Sequence, residues 1–125
     1  MTKFKKVILL IEDDDVIIQL LSKHIERNGY LLKVAKDGQE GIEMIEKHKP
    51  DLILLDMMMP RLDGFGVLEN LKDNHLLPDL PVIIISNSGQ PVEIERAIKL
   101  GVRDYLVKLN FNPDELMEKV KHILQ

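Results

Sequence analysis

The chain has 125 residues, 45% hydrophobic and 30% charged, which suits one soluble domain with a buried core and leaves too little for a second of useful size. It has no cysteine and no tryptophan, which excludes a disulfide framework and a thiolate metal site. Its net charge of -4, with basic residues scattered along the chain, argues against direct nucleic-acid binding, and no stretch approaches the roughly 20 apolar residues that would span a membrane.

Apolar runs of strand length alternate with helix-like segments, the pattern of successive βα units in a parallel sheet, and residues 1–125 are expected to form one such domain. The Lys-rich start at residues 2–6 has the look of a signal peptide, but the apolar run behind it stops at Glu12-Asp13-Asp14-Asp15. Residues 6–11 therefore read as a first strand, and the expected location is cytoplasmic. A helix over residues 15–28 carries Ile17, Leu21 and Ile25 at helical spacing and ends at Asn28-Gly29. After a second strand at residues 31–35, Asp37 and Glu40 have the spacing of a capping box and open a helix to residue 47.

Residues 52–55 are apolar without a break, so the third strand should be central and covered on both faces. Asp63 is expected to cap a third helix bearing Val67, Leu68 and Leu71. A fourth strand at residues 82–85 precedes a helix begun by Pro91 and ended by Gly101, with Ile94, Ala97 and Ile98 expected to face inward. The last strand, residues 104–107, leads to Asn112-Pro113-Asp114-Glu115, a cap, first-turn proline and third-position glutamate that start a helix with Leu116, Val120 and Ile123 inward.

Four of the apolar runs stop on chemically loaded residues: Glu12-Asp13, Asp56, Ser86 and Lys108. In an open α/β sheet the carboxyl ends of the strands share one rim, and ligands bind there. Three carboxylates crowded on that rim repel one another, by roughly 4 kcal/mol per pair at about 4 Å and an effective dielectric near 20. A hard divalent cation with oxygen ligands would offset this, and Mg²⁺ typically takes one or two carboxylates together with phosphate oxygens. For Asp14 and Asp15 the acidic first turn of a helix is the better reading. For Glu12 and Asp13 the two readings stand level, until Asp56 at a second strand end favours the metal. Asp56 itself is either a loop cap or a carboxylate nucleophile, Lys108 a solvated amine or a partner for Asp56 and a phosphoryl oxygen, and Ser86 a turn residue or a hydroxyl donor. Met57-Met58-Met59 reads as packing rather than a thioether site. His24, His48, His75 and His122 read as surface residues without metal-ligand spacing.

Taken together, these residues resemble the receiver domain of two-component response regulators, of the stand-alone single-domain type, over residues 5–124. The resemblance implies a flavodoxin-like, doubly wound (βα)5 fold with a five-stranded parallel sheet in the order 2-1-3-4-5. It implies that Glu12, Asp13, Asp56 and the Met58 backbone carbonyl hold Mg²⁺, that Asp56 is the phosphoacceptor, that Lys108 is the family's lysine, and that Ser86 and Tyr105 are the switch residues. Met59-Pro60 and Asp63-Gly64 match the loop motif after the phosphoacceptor. The implied phosphodonor is a sensor histidine kinase or a histidine phosphotransfer protein. The implied output is a target protein meeting the face of the fourth helix, fifth strand and fifth helix. Met58 and Ser88 occupy the positions that tune hydrolysis of the acyl phosphate and offer no carboxylate or amide, so slow self-dephosphorylation is expected.

Two positions depart from the pattern. Leu109 follows Lys108 where the family commonly has a cis proline, and a non-proline cis bond costs about 2.5 to 4 kcal/mol, so a trans or strained turn is expected there. Asn87 stands where an alanine often leaves the approach open. The rival classes fit less well. A flavin or nucleotide site wants a glycine-rich phosphate loop where this chain is acidic, and a haloacid-dehalogenase-type phosphatase wants an aspartate where Met58 stands. A degenerate receiver used only for protein contacts is the remaining alternative, disfavoured by the intact acids and Lys108 and favoured only by Leu109.

Overall fold

Strands apolar on both faces need helices on both sides, and two layers of helix enclose the sheet. The computed structural model describes residues 5–125, and residues 2–4 of the Lys-rich start lie outside the described residues. The strands are β1 (Val7–Ile11), β2 (Leu31–Ala35), β3 (Leu52–Leu55), β4 (Val82–Ser86) and β5 (Asp104–Val107), all parallel, in the order β2-β1-β3-β4-β5. The helices are α1 (Asp15–Arg27), α2 (Gly38–His48), α3 (Gly64–Asp73), α4 (Pro91–Leu100) and α5 (Pro113–Leu124). Among the described residues no helix is long and apolar enough to cross a membrane.

The alternation of side chains along each strand divides the core in two. Leu9, Ile11, Ile53, Leu55, Val82 and Ile84 pack against Ile42, Ile45, Val67, Leu68, Leu71 and Ala97 of α2, α3 and α4. Ile8, Leu10, Leu52, Leu54, Ile83 and Ile85 pack against Leu21, Ile25, Leu116, Met117 and Val120 of α1 and α5. The chain moves from β1 to β2 on one side and then crosses to β3 on the other, so the strand order reverses at β1 and β3, where doubly wound sheets open a crevice.

The helix starts follow local chemistry. Asp14, Asp37, Asp63 and Asn112 each accept a hydrogen bond from a backbone N–H of the turn that follows. Two expectations are corrected. Glu40 reaches the N–H of Lys36, one residue ahead of the Asp37 cap, so the capping box is not reciprocal. Ile98 is 49% exposed instead of facing inward. Helix α4 meets the sheet through Ala97, its one buried residue, and the next position is turned about 100° further round the helix, out of the contact.

Candidate functional site

Register places the acids before any side-chain geometry is considered. Ile11 pairs with Leu55, so the residues that follow them, Glu12 and Asp56, emerge side by side at the reversal of strand order. Asp56 N–H donates to the Ile11 carbonyl at 2.9 Å, and Glu12 N–H to the Ala35 carbonyl at 2.9 Å, anchoring both backbones at the rim. On the other side Ser86 pairs with Val107, which brings Lys108 over the same rim.

Glu12, Asp13 and Asp56 each present a carboxylate oxygen within 4.8 Å of the others. Glu12 and Asp56 are buried, whereas Asp13 is exposed and lines an open cleft of about 430 Å³ with Met57, Met58, Met59, Pro60 and Asp63. Lys108 Nζ lies 2.8 Å from Glu12 Oε1 and 3.4 Å from Asp56 Oδ1, so its nearer partner is Glu12. Glu12 Oε2 accepts from the N–H groups of Asp13 and Asp14 at 3.1 and 3.2 Å. Asp56 Oδ1 accepts from Met58 N–H at 3.4 Å.

Burial pushes the Glu12 carboxyl up to about 7; Asp56 adds to the rise and the Lys108 hydrogen bond opposes it. Burial acts on Lys108 in the downward direction, but Glu12 and Asp56 outweigh it and hold the ammonium above its ordinary value. With three carboxylates and one ammonium the site carries excess negative charge. An all-oxygen, acid-rich donor set of this kind fits a hard divalent cation.

The segment after Asp56 is fixed by Gly64, whose N–H donates to the Met57 carbonyl at 3.0 Å. A Cβ at Gly64 would sit 2.5 Å from Met57 Sδ and 2.7 Å from Met57 Cα, so only glycine lets α3 begin this close to the acid-bearing strand end. Met58 itself is exposed.

The structure brings Glu12, Asp13, Asp56 and Lys108 together. Ser86 and Tyr105 are engaged elsewhere. Ser86 Oγ accepts from Ser88 N–H at 3.2 Å, and Tyr105 Oη donates to the Ser88 carbonyl at 2.7 Å. Ser88 is thus a hub that the spacing of the chain did not reveal, and its own Oγ donates to Glu93 Oε1 at 3.0 Å. The available signal was Glu93 at the third position of α4, from which a glutamate reaches back over a helix start. The Lys108–Leu109 peptide is trans, the only cis peptide among the described residues being Leu77–Pro78, and Lys108–Asn110 form a single 3₁₀ turn. Lys108 reaches both acids from this turn without a proline. Asn87 is exposed.

Comparison with known proteins agrees with this geometry. The profile of the response regulator receiver domain matches residues 8–121. The chain is 37% identical over 120 residues to the alkaline phosphatase synthesis transcriptional regulatory protein PhoP of Bacillus subtilis, covering 96% of this chain and 49% of that one. It is 36% identical over 118 residues to the DNA-binding dual master transcriptional regulator RpaA of Synechocystis, covering 94% and 48%. The chain spans about half the length of the curated relatives it matches. Among solved structures, the receiver domain of the Francisella response regulator 1452 superposes with a TM-score of 0.88 at 34% identity, covering 95% of this chain and 96% of that one. The chain belongs to the receiver domain family of two-component response regulators.

Proposed function

We propose that Asp56 accepts a phosphoryl group from the phosphohistidine of a sensor histidine kinase or histidine phosphotransfer protein, in a reaction that needs Mg²⁺. The observation that carries this reading is the approach of the Glu12, Asp13 and Asp56 oxygens to within 4.8 Å of one another beneath the Lys108 ammonium. Glu12, Asp13, Asp56 and the Met58 carbonyl would hold Mg²⁺, which when bound supplies charge neutralisation for the phosphoryl oxygens.

Asp56 Oδ1 faces Met58 N–H and Lys108, which leaves Oδ2 to attack phosphorus. The new bond is O–P; the P–N bond of the donor breaks, and the imidazole nitrogen keeps its electron pair. Lys108 exchanges its 3.4 Å contact with Asp56 for a phosphoryl oxygen while retaining Glu12, so the incoming charge is met by an ammonium already in place. Ser86 gives up Ser88 N–H and donates its hydroxyl to the phosphoryl group. The β4–α4 loop then moves with Ser88, Tyr105 follows through its bond to the Ser88 carbonyl, and the α4-β5-α5 face presented to a target protein changes. Met58 and Ser88 offer no carboxylate or amide to orient an attacking water, so the phosphorylated form should lose its phosphoryl group slowly.

Acetyl phosphate or phosphoramidate in the presence of Mg²⁺ tests the assignment by intact mass. The wild-type protein should gain one phosphoryl group and Asp56→Asn none. Undiminished labelling of the variant would refute Asp56 as the acceptor.

A further inference from the structure

The loop from Asp56 to Asp63 is held at a second point, away from the acids, by a contact that spacing along the chain does not mark. Leu62 N–H donates to the Pro60 carbonyl at 2.8 Å, an i to i+2 bond around Arg61, whose φ is +67°. A tight turn of this hand at a non-glycine residue belongs to the rare and strained γ-turn class, which persists only where surrounding contacts over-determine it.

Those contacts come from the start of α2. The Arg61 guanidinium pairs with Asp37 Oδ2. Asp37 is only 5% exposed, and its other oxygen caps α2 through Glu40 N–H at 2.8 Å. Next to it, a Cβ at Gly38 would lie 2.1 Å from the Leu62 carbonyl oxygen, so the loop backbone rests directly on the helix start. The Arg61 hydrogen bond and charge help hold the Asp37 carboxyl below its ordinary range, after the larger effect of Glu40 N–H, and Asp37 in turn raises Arg61.

From this convergence of a strained turn, a buried carboxylate and a backbone-on-backbone contact, we infer that Arg61 is a positioning residue: clamped to Asp37, it fixes the path of the loop that carries Met58 beside Asp56. The inference rests on the reading of Glu12, Asp13, Asp56 and the Met58 carbonyl as a Mg²⁺ site. Arg61 does not touch the metal or the phosphoryl group. Between the Met57–Gly64 hydrogen bond at one end and the Arg61–Asp37 pair at the other, the loop has two fixed points, and Met58 lies between them. Releasing the second point lets the Met58 carbonyl wander relative to the carboxylates and lowers affinity for the ion without altering the acids themselves.

Arg61→Gly separates positioning from stability, because glycine relieves the positive φ while removing the clamp. Isothermal titration of the variant with Mg²⁺ should show about tenfold weaker binding, the lower end of what loss of an outer supporting contact costs a metal site. Its thermal midpoint in EDTA should change little. Arg61→Lys, which can still reach Asp37, should recover most of the affinity. A variant that binds Mg²⁺ like the wild type, or that loses thermal stability in EDTA while keeping its affinity, would overturn the clamp. Failure of the wild-type protein to bind Mg²⁺ at all, or wild-type binding by Asp56→Asn, would instead overturn the metal reading on which the clamp rests.

Discussion

The two halves of the sheet are built differently. In β1 and β3 every residue from Ile8 to Ile11 and from Leu52 to Leu55 is at most 2% exposed, and Glu12 and Asp56 stand directly on these strands. At the other edge β5 is half-buried along its length, and α4 buries Ala97 alone while Val92 and Ile98 are 77% and 49% exposed. The contrast follows from position in the sheet, since a central strand is covered on both faces and an outer one has a neighbour on one side only. It also fits a division of labour. In the proposed function, carboxylates that meet a cation and a phosphoryl group need a fixed frame, whereas a surface that changes shape is drawn from the region that costs least to disturb.

Truncation should expose this contrast most strongly. Leu54→Ala removes a fully buried side chain from the middle of β3 and should cost roughly 3 to 4 kcal/mol, the transfer loss plus a cavity the packed neighbours cannot close. Ile98→Ala on α4 should stay within about 0.5 kcal/mol. Urea unfolding of the two variants measures both, and equal losses would mean that α4 is held as firmly as the core.

The next effect belongs to the packed half alone. Glu12 is pushed up to about 7 from an ordinary value of 4.5, so between those values the folded protein binds more protons than the unfolded chain. Stability without metal is then highest below about 4.5 and falls as pH rises through 7. Between pH 5 and 7.5 the loss should be about 2 kcal/mol, the greater part of a shift of this size at about 1.4 kcal/mol per unit. Urea midpoints in EDTA should fall across this window for the wild type and stay flat for Glu12→Gln. A wild-type slope of the opposite sign would show that Lys108 keeps Glu12 ionised against burial.

The same asymmetry explains what could be read from the chain. Short uninterrupted runs such as Leu52–Leu55, alternating with helix-like segments, point to buried strands, and a loaded residue closing a run points to the common rim. The strands and their acid-bearing rim were legible for that reason, whereas the strand order came from the family resemblance. Ile98 was misread because helical spacing marks a stripe without giving its width, and Ala97 is the one residue α4 buries fully, with Leu100 packed beside it. The contacts that Ser88 gathers and the Arg61–Asp37 pair were invisible because both join loops to helix starts, along backbone paths that no periodicity encodes. The preference of Lys108 for Glu12 over Asp56 was hidden likewise, since strand ends give proximity and not the choice of partner.

The smallest effect tests the lightly packed half from within. Tyr105→Phe removes the 2.7 Å bond to the Ser88 carbonyl and leaves the ring, at a cost of about 1 kcal/mol. In the wild-type protein the Ser88 amide, bound to Ser86 Oγ at 3.2 Å, should exchange with solvent by local opening and respond little to added urea. The Ile53 amide, bound to the Pro81 carbonyl at 2.9 Å inside the sheet, should exchange only through global unfolding and respond steeply. The variant should speed exchange at Ser88 about fivefold, the factor that about 1 kcal/mol represents, with the urea response still shallow. If Ser88 is as protected and as urea-sensitive as Ile53, the loop joining Ser86 to α4 opens only with the core, and the two halves are one cooperative unit. A shallow, accelerated response would place motion of the Ser88 loop inside the native state, where, in the proposed function, a phosphoryl group on Asp56 would bias it without unfolding the strands beneath.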